Sequence, residues 1–370
     1  MATQTRRTAI LEKSDLHQLV ARLLRDYEVV APVVRDGGIV FRPIREPAEI
    51  AYGLREVAAP GEYRLEREED GTLFAYTNGA DSVKRQVHPS HLTLFSGEVT
   101  PEGFRMVEES GPERPLAFFG IRPCDLHGLQ ILDRVFLGGD HPDTPFHRRR
   151  QGSLVVAANC HRAGPLCFCE SMGTGPRAEA GYDLVLTELP DRFLLEAGSE
   201  QGERILVELP TSPAQEGDEA AASARIEEAR QQMGRRIDTA GLPELLRANP
   251  EHPVWDAMEK QCLGCTNCTM TCPTCFCYDV NDRVDVRLQQ VERERTWGSC
   301  FTQQFAAVHG GNFRDALKGR YRHWVSHKLS YWVEQFDTFG CVGCGRCIVW
   351  CPVKIDITRV AASIREGNDT

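Results

Sequence analysis

The chain is short of long apolar runs: no stretch approaches the roughly 20 consecutive apolar residues that a helix needs to cross a bilayer. Positive charge is in deficit. Lys and Arg number 43 against 53 Asp and Glu, and the formal charge of -10 argues against a phosphate-binding face and so against a nucleic-acid partner. No C-x-x-C-H occurs, which excludes covalently attached haem. Low-complexity tracts are missing too. Arg6 and Arg7 invite a twin-arginine export reading, but Glu12, Lys13 and Asp15 arrive before any apolar stretch, so a cytoplasmic location is expected.

What is abundant is cysteine, at fifteen residues. In a cytoplasmic protein that number points to metal or redox chemistry and not to a disulfide framework. The chain has 370 residues, 41% of them apolar and 26% charged, enough for two globular domains.

Leu16, Leu19, Val20, Leu23, Leu24 and Tyr27 recur at helical spacing behind a Ser14 or Asp15 cap. Residues 29–34 and 39–44 read as strands around the turn Asp36-Gly37-Gly38, and turn-rich sequence then runs to about Arg85. Apolar runs at 116–121, 154–158, 184–187 and 193–196 read as further strands, with a helix over 126–136. Strands alternating with helices predict an α/β N-terminal domain over residues 1–210. Residues 211–250 read as a linker, over 211–222, followed by a helix capped by Ser223. Residues 251–370 read as a mainly α-helical dicluster ferredoxin domain, with helical stretches at 297–308 and 321–336.

Two runs in that last part carry the chemistry. Cys262, Cys265, Cys268 and Cys272, followed by Pro273, form one C-x2-C-x2-C-x3-C-P motif. Cys341, Cys344, Cys347 and Cys351, followed by Pro352, form a second. Spacings of two bring three thiolates onto one cubane, while the fourth cysteine, a helical turn on, points to the other cluster. The expected ligands are therefore Cys262, Cys265, Cys268 and Cys351 for a 4Fe–4S cluster A. Cluster B takes Cys341, Cys344, Cys347 and Cys272. The exchange clamps the two segments together, so metal loss should unfold this part of the chain. Structural zinc also uses C-x2-C pairs, but two pairs close such a site, not two quartets each ending in Cys-Pro.

Cys124 and Cys160 each end an apolar strand. If those strands are parallel neighbours, both thiols emerge at the carboxyl edge of the sheet, where open α/β folds bind ligands. With Cys167 and Cys169 in the following loop they are candidates for a third 4Fe–4S cluster; the alternative is that they are buried small hydrophobes. Gly173-Thr-Gly175 follows that loop and not a strand, so a close backbone approach suits it better than a dinucleotide site. Cys275, Cys277 and Cys300 read as packing that tunes or shields the clusters, with another metal centre as the alternative. Arg320, Arg322, His323, His327 and Lys328 read as a solvated basic face, with docking of an acidic partner as the alternative.

Gly120-Ile121-Arg122-Pro123-Cys124-Asp125, Cys167-Phe168-Cys169-Glu170-Ser171-Met172-Gly173 and the two cysteine motifs, in this order, closely resemble the dicluster β subunits of cytoplasmic sulfhydrogenases. Those belong to the bidirectional NAD(P)-linked nickel–iron hydrogenases. The corresponding component of anaerobic sulfite reductase is similar over nearly the whole chain. The resemblance covers residue 80 to the end. It implies an electron relay without a substrate site of its own, between a flavin subunit carrying FAD and NAD(P) and the hydrogenase small and large subunits. In the alternative the partner is the catalytic subunit of a sulfite reductase. The readings from other classes are a self-contained oxidoreductase with a flavin in the α/β domain and a redox sensor or structural Fe–S module.

Overall fold

The computed structural model describes residues 7–77 and 79–367; Arg6, half of the twin-arginine pair, lies outside them. An eight-stranded mixed sheet runs in the order Ser212–Pro213, Thr8–Glu12, Arg192–Ala197, Leu184–Glu188, Leu154–Ala158, Leu116–Ile121, Glu28–Arg35 and Gly38–Pro43. Glu28–Arg35, Leu116–Ile121, Leu154–Ala158 and Leu184–Glu188 pair in parallel. Parallel strands covered on both faces read as continuous apolar runs, and every residue of Leu116–Ile121 and Leu154–Ala158 is buried.

Alternate side chains feed two cores. Ala117, Phe119, Val156 and Leu186 meet the helix Leu16–Asp26 on one face. Phe118, Ile121, Val155 and Val185 meet the helix Pro123–Leu137 on the other. The α/β expectation therefore holds for the sheet and its two helical layers.

The region expected to be turn-rich contains a three-stranded sheet, Glu62–Arg67, Leu54–Ala59 and Phe74–Ala75. The expected linker is largely helix: Glu216–Gln232 begins before Ser223, because Gln215 and Asp218 cap each other reciprocally. Arg192 then ties Asp218 to the sheet at 2.8 Å.

The C-terminal part is not all helical. Between the two motifs the strands Tyr278–Val284 and Gln290–Trp297 form a hairpin, which continues onto His91–Thr100 and Gly103–Glu108 as one antiparallel sheet. Tyr278–Val284 is exposed along its whole length, and it is strand through its seven-residue pairing with Gln290–Trp297. The helix expected over 297–308 is instead turns and a short 3-10 segment, Gln304–Ala306. Ser299 is fully buried, and its hydroxyl accepts from Phe301 N–H, which favours a turn over helix. Residues 321–336 are helical as expected, but a π-helical turn, His327–Tyr331, interrupts them.

One ion pair joins the first turn of the helix Pro123–Leu137 to the second motif. Arg346, between Cys344 and Cys347, donates to both oxygens of Asp125 at 2.5 and 2.8 Å, and both side chains are almost wholly buried. Its Nε–H also reaches Gly79 O at 3.0 Å. Removing one partner of a buried pair strands the other charge. Arg346→Met is therefore expected to cost about 3–5 kcal/mol in denaturant unfolding. The double variant Asp125→Asn with Arg346→Met should cost less than the single change.

Candidate metal centre

The two motifs repeat one backbone. Gly264 (φ 63°) and Thr266 (φ 68°) in the first correspond to Gly343 (φ 63°) and Gly345 (φ 76°) in the second. These left-handed residues curl each loop before the short helices Asn267–Met270 and Arg346–Val349. Cys272 and Cys351 follow those helices, and Pro273 and Pro352 stop them continuing.

Backbone N–H groups point at the sulfurs in both copies. Gly264 N donates to Cys262 Sγ and Gly343 N to Cys341 Sγ, each at 3.4 Å. Thr274 N donates to Cys272 Sγ at 3.5 Å and Ile355 N to Cys351 Sγ at 3.3 Å.

The loops and the returning cysteines wall two cavities. Cys262, Cys265, Cys268 and Cys351 line the first, backed by Phe301, Tyr321 and Trp324. Cys341, Cys344, Cys347 and Cys272 line the second, with Phe168 and Lys328. Each cavity thus takes three thiols from one motif and the last cysteine of the other, and Cys347 also reaches the first, where it is a fifth thiol. At least four thiols around an otherwise mostly apolar space, with N–H groups aimed at some of the sulfurs, form a donor set that fits a 4Fe–4S cubane.

The two cavities differ in access. Cys265 is exposed, beside a Leu263 that is 65% exposed, whereas Cys272 and Cys344 are buried. Burial pushes the Cys341 thiol up to about 11 and the Cys344 thiol up to about 12. Cys272 goes the other way: hydrogen bonding to Cys275, then the charges of Lys328 and Lys84, hold it well below the usual thiol range.

A 4Fe–4S dicluster domain family matches residues 261–355, the segment that contains both motifs. The sulfhydrogenase 2 subunit beta of Pyrococcus furiosus is 36% identical over 267 residues, which cover 70% of this chain and 77% of that protein. The chain belongs to the sulfhydrogenase β-subunit family.

In this family member the four N-terminal cysteines are all buried on the side of the second motif, but among the described residues they do not form a group that could hold a single metal ion. Leu116–Ile121 and Leu154–Ala158 are parallel neighbours, so Cys124 and Cys160 leave the sheet at the same edge. All four thiols are buried, and Cys124 and Cys169 share an apolar cluster with Val342 and Cys344. The loop carrying Cys167 and Cys169 lies directly on the second motif. Phe168 N donates to Gly343 O at 2.8 Å, and Thr174 Oγ1 donates to Val342 O at 2.6 Å. Gly175 sits against Cys169 Sγ, so a close approach is the use of that glycine. Cys300 packs in the core with Phe301 and Trp324.

The basic stretch is not one solvated face. Lys328 is buried against Cys272, and the His323 and His327 rings stack at 5.5 Å, burial pushing both down to about 4. Lys328, Arg346 and Asp125 are not among the site residues expected from sequence. For Lys328 a signal is present: it continues the series Tyr321, Trp324, Val325, Leu329 and Trp332, whose members are all buried.

The motif glycines yield a test. A Cβ on Gly343 would lie 2.6 Å from backbone atoms of Phe168 and Cys169, whereas one on Gly264 would meet only Leu317 Cδ1 at 3.4 Å. Both substitutions carry the left-handed penalty of about 1–2 kcal/mol. Gly343→Ala should therefore lower thermal stability and retained iron clearly more than Gly264→Ala; equal losses would mean the loop contact is unimportant.

Proposed function

We propose that this chain is the iron–sulfur relay subunit of a soluble nickel–iron hydrogenase complex, carrying electrons between a partner that binds flavin and NAD(P) and the hydrogenase small and large subunits. The observation that carries the proposal is the pair of adjoining thiol-walled cavities, each built from both motifs, in a member of the sulfhydrogenase β family. Cys262, Cys265, Cys268 and Cys351 would hold one 4Fe–4S cluster, and Cys341, Cys344, Cys347 and Cys272 the other. Bound cubanes supply one-electron transfer with little change in shape.

The protein's own residues shape that role. Arg346 and Asp125 lock the second motif onto the helix Pro123–Leu137, and the Leu166–Cys169 loop closes over it. Around the first cavity, Cys265 and Leu263 stay open to solvent, which makes this end the one that meets a partner. Cys124, Cys160, Cys167 and Cys169 would hold a third cubane, a reading supported by the burial of all four thiols and by Cys124 and Cys169 packing against Cys344.

Purification of the complex tests the assignment. Nickel together with hydrogen-dependent reduction of a dye or of NAD(P) is expected; sirohaem with sulfite reduction would overturn it in favour of a sulfite reductase. Replacing Cys167 and Cys169 together by Ala should reduce iron from about twelve to about eight per chain, while a wild-type value of about eight would remove the third centre. Leu263→Glu is expected to slow electron exchange with the flavin partner while leaving iron content unchanged.

A further inference from the structure

Lys328 is 4% exposed, and its ammonium has three protons to place. They go to Cys272 Sγ at 3.2 Å, Thr274 Oγ1 at 3.0 Å and Gly340 O at 3.0 Å. Its own carbonyl accepts from Gly340 N–H at 2.8 Å. Lys328 thereby grips the cysteine that arrives from the first motif and the backbone just before Cys341 of the second.

The π-helical turn His327–Tyr331 carries it there. Such turns insert an extra residue into a helix and are frequent at functional sites. Thr274 completes the arrangement, its hydroxyl lying 3.2 Å from Cys272 Sγ and donating to Gly340 O at 2.6 Å.

A buried ammonium is costly unless negative charge faces it. The three acceptors here are a carbonyl, a hydroxyl and a sulfur, and only the sulfur can carry charge. The corresponding thiol of the first cavity, Cys351, accepts instead from the neutral N–H of Ile355 at 3.3 Å. Hydrogen bonds to sulfur and local net charge set the potentials of such clusters. A fixed cation bonded to a ligand sulfur favours the state that carries one more negative charge.

We propose that Lys328 is a positioning residue that sets the reduction potential of the second site, holding it more positive than it would be with a neutral side chain in that place. The couple concerned takes up one electron and no proton, and Lys328 remains an ammonium throughout. The proposal rests on Cys272 being a ligand of that site.

The test is an EPR-monitored potentiometric titration of the full-length chain, with dithionite as reductant, alongside iron and acid-labile sulfide assays. Lys328→Met should move the midpoint of one cluster signal to more negative potential, leaving the other unmoved and iron at the wild-type level. Lys328→Arg should recover part of the shift. Lys354→Met, which removes an exposed charge paired with Glu62, should move neither. Unmoved midpoints in an iron-replete Lys328→Met protein would overturn the proposal. Should that variant lose iron, Lys328→Arg against Lys328→Gln decides: the charged variant must lie at the more positive potential, and equal values overturn the proposal. Wild-type protein without labile sulfide would instead sink the cluster assignment beneath it.

Discussion

Each of the two cavities is incomplete without a cysteine from the other motif. Cys351 closes the wall begun by Cys262, Cys265 and Cys268, and Cys272 closes the one begun by Cys341, Cys344 and Cys347. Much of the surrounding structure follows from that exchange. The two loops must lie back to back, sharing Cys347, and the chain between them must leave and return. It does so through a hairpin that pairs with strands from the first third of the molecule and through the interrupted helix that delivers Lys328. Because the helix Pro123–Leu137 and the loop around Phe168 also contact the second motif, through Asp125–Arg346 and the Phe168–Gly343 hydrogen bond, the two parts form one packed unit around the thiols.

The interior near the second cavity is unusual in the charge it holds. Lys84 lies buried with its Nζ 3.0 Å from Cys275 O and 4.0 Å over the Trp297 ring, and burial pushes it down to about 8. Lys328 and Arg346 are buried close by, and Arg122 spends its guanidinium on the carbonyls of Phe74 and Tyr76. Arg346 is neutralised by Asp125, whereas Lys328 faces a sulfur. Cations bonded within a thiol-rich interior suit a site that carries negative charge. The first cavity has a more neutral surround, adding Phe301 and Tyr321 to the Trp324 that both cavities share, and opens towards Cys265. The two sites are thus built alike in backbone and differently in electrostatics.

Much of this is legible in the sequence. The cysteine spacing encodes the local loops, and the runs 116–121 and 154–158 announce strands covered on both faces, as parallel strands require. What the sequence conceals depends on contacts distant along the chain. Tyr278–Val284 is exposed along its whole length, so no buried stripe marks it, and its sheet is completed only by His91–Thr100 and Gly103–Glu108. The start of the helix Glu216–Gln232 is hidden because its small and acidic residues resemble a linker, and its stability draws on the Gln215–Asp218 cap and the tie to Arg192. Lys328 stands among charged neighbours that suggest a solvated face, although its spacing from Tyr321, Trp324 and Trp332 places it on the buried one.

The most direct test of this account is Cys351→Ser in the full-length chain, read by EPR of the reduced protein against a Cys265→Ser reference. If the motifs exchange ligands, both variants should perturb the same cluster signal and leave the other intact. If Cys351→Ser instead perturbs the signal altered by Cys344→Ser and spares the one altered by Cys265→Ser, each motif closes its own cluster and the account is wrong.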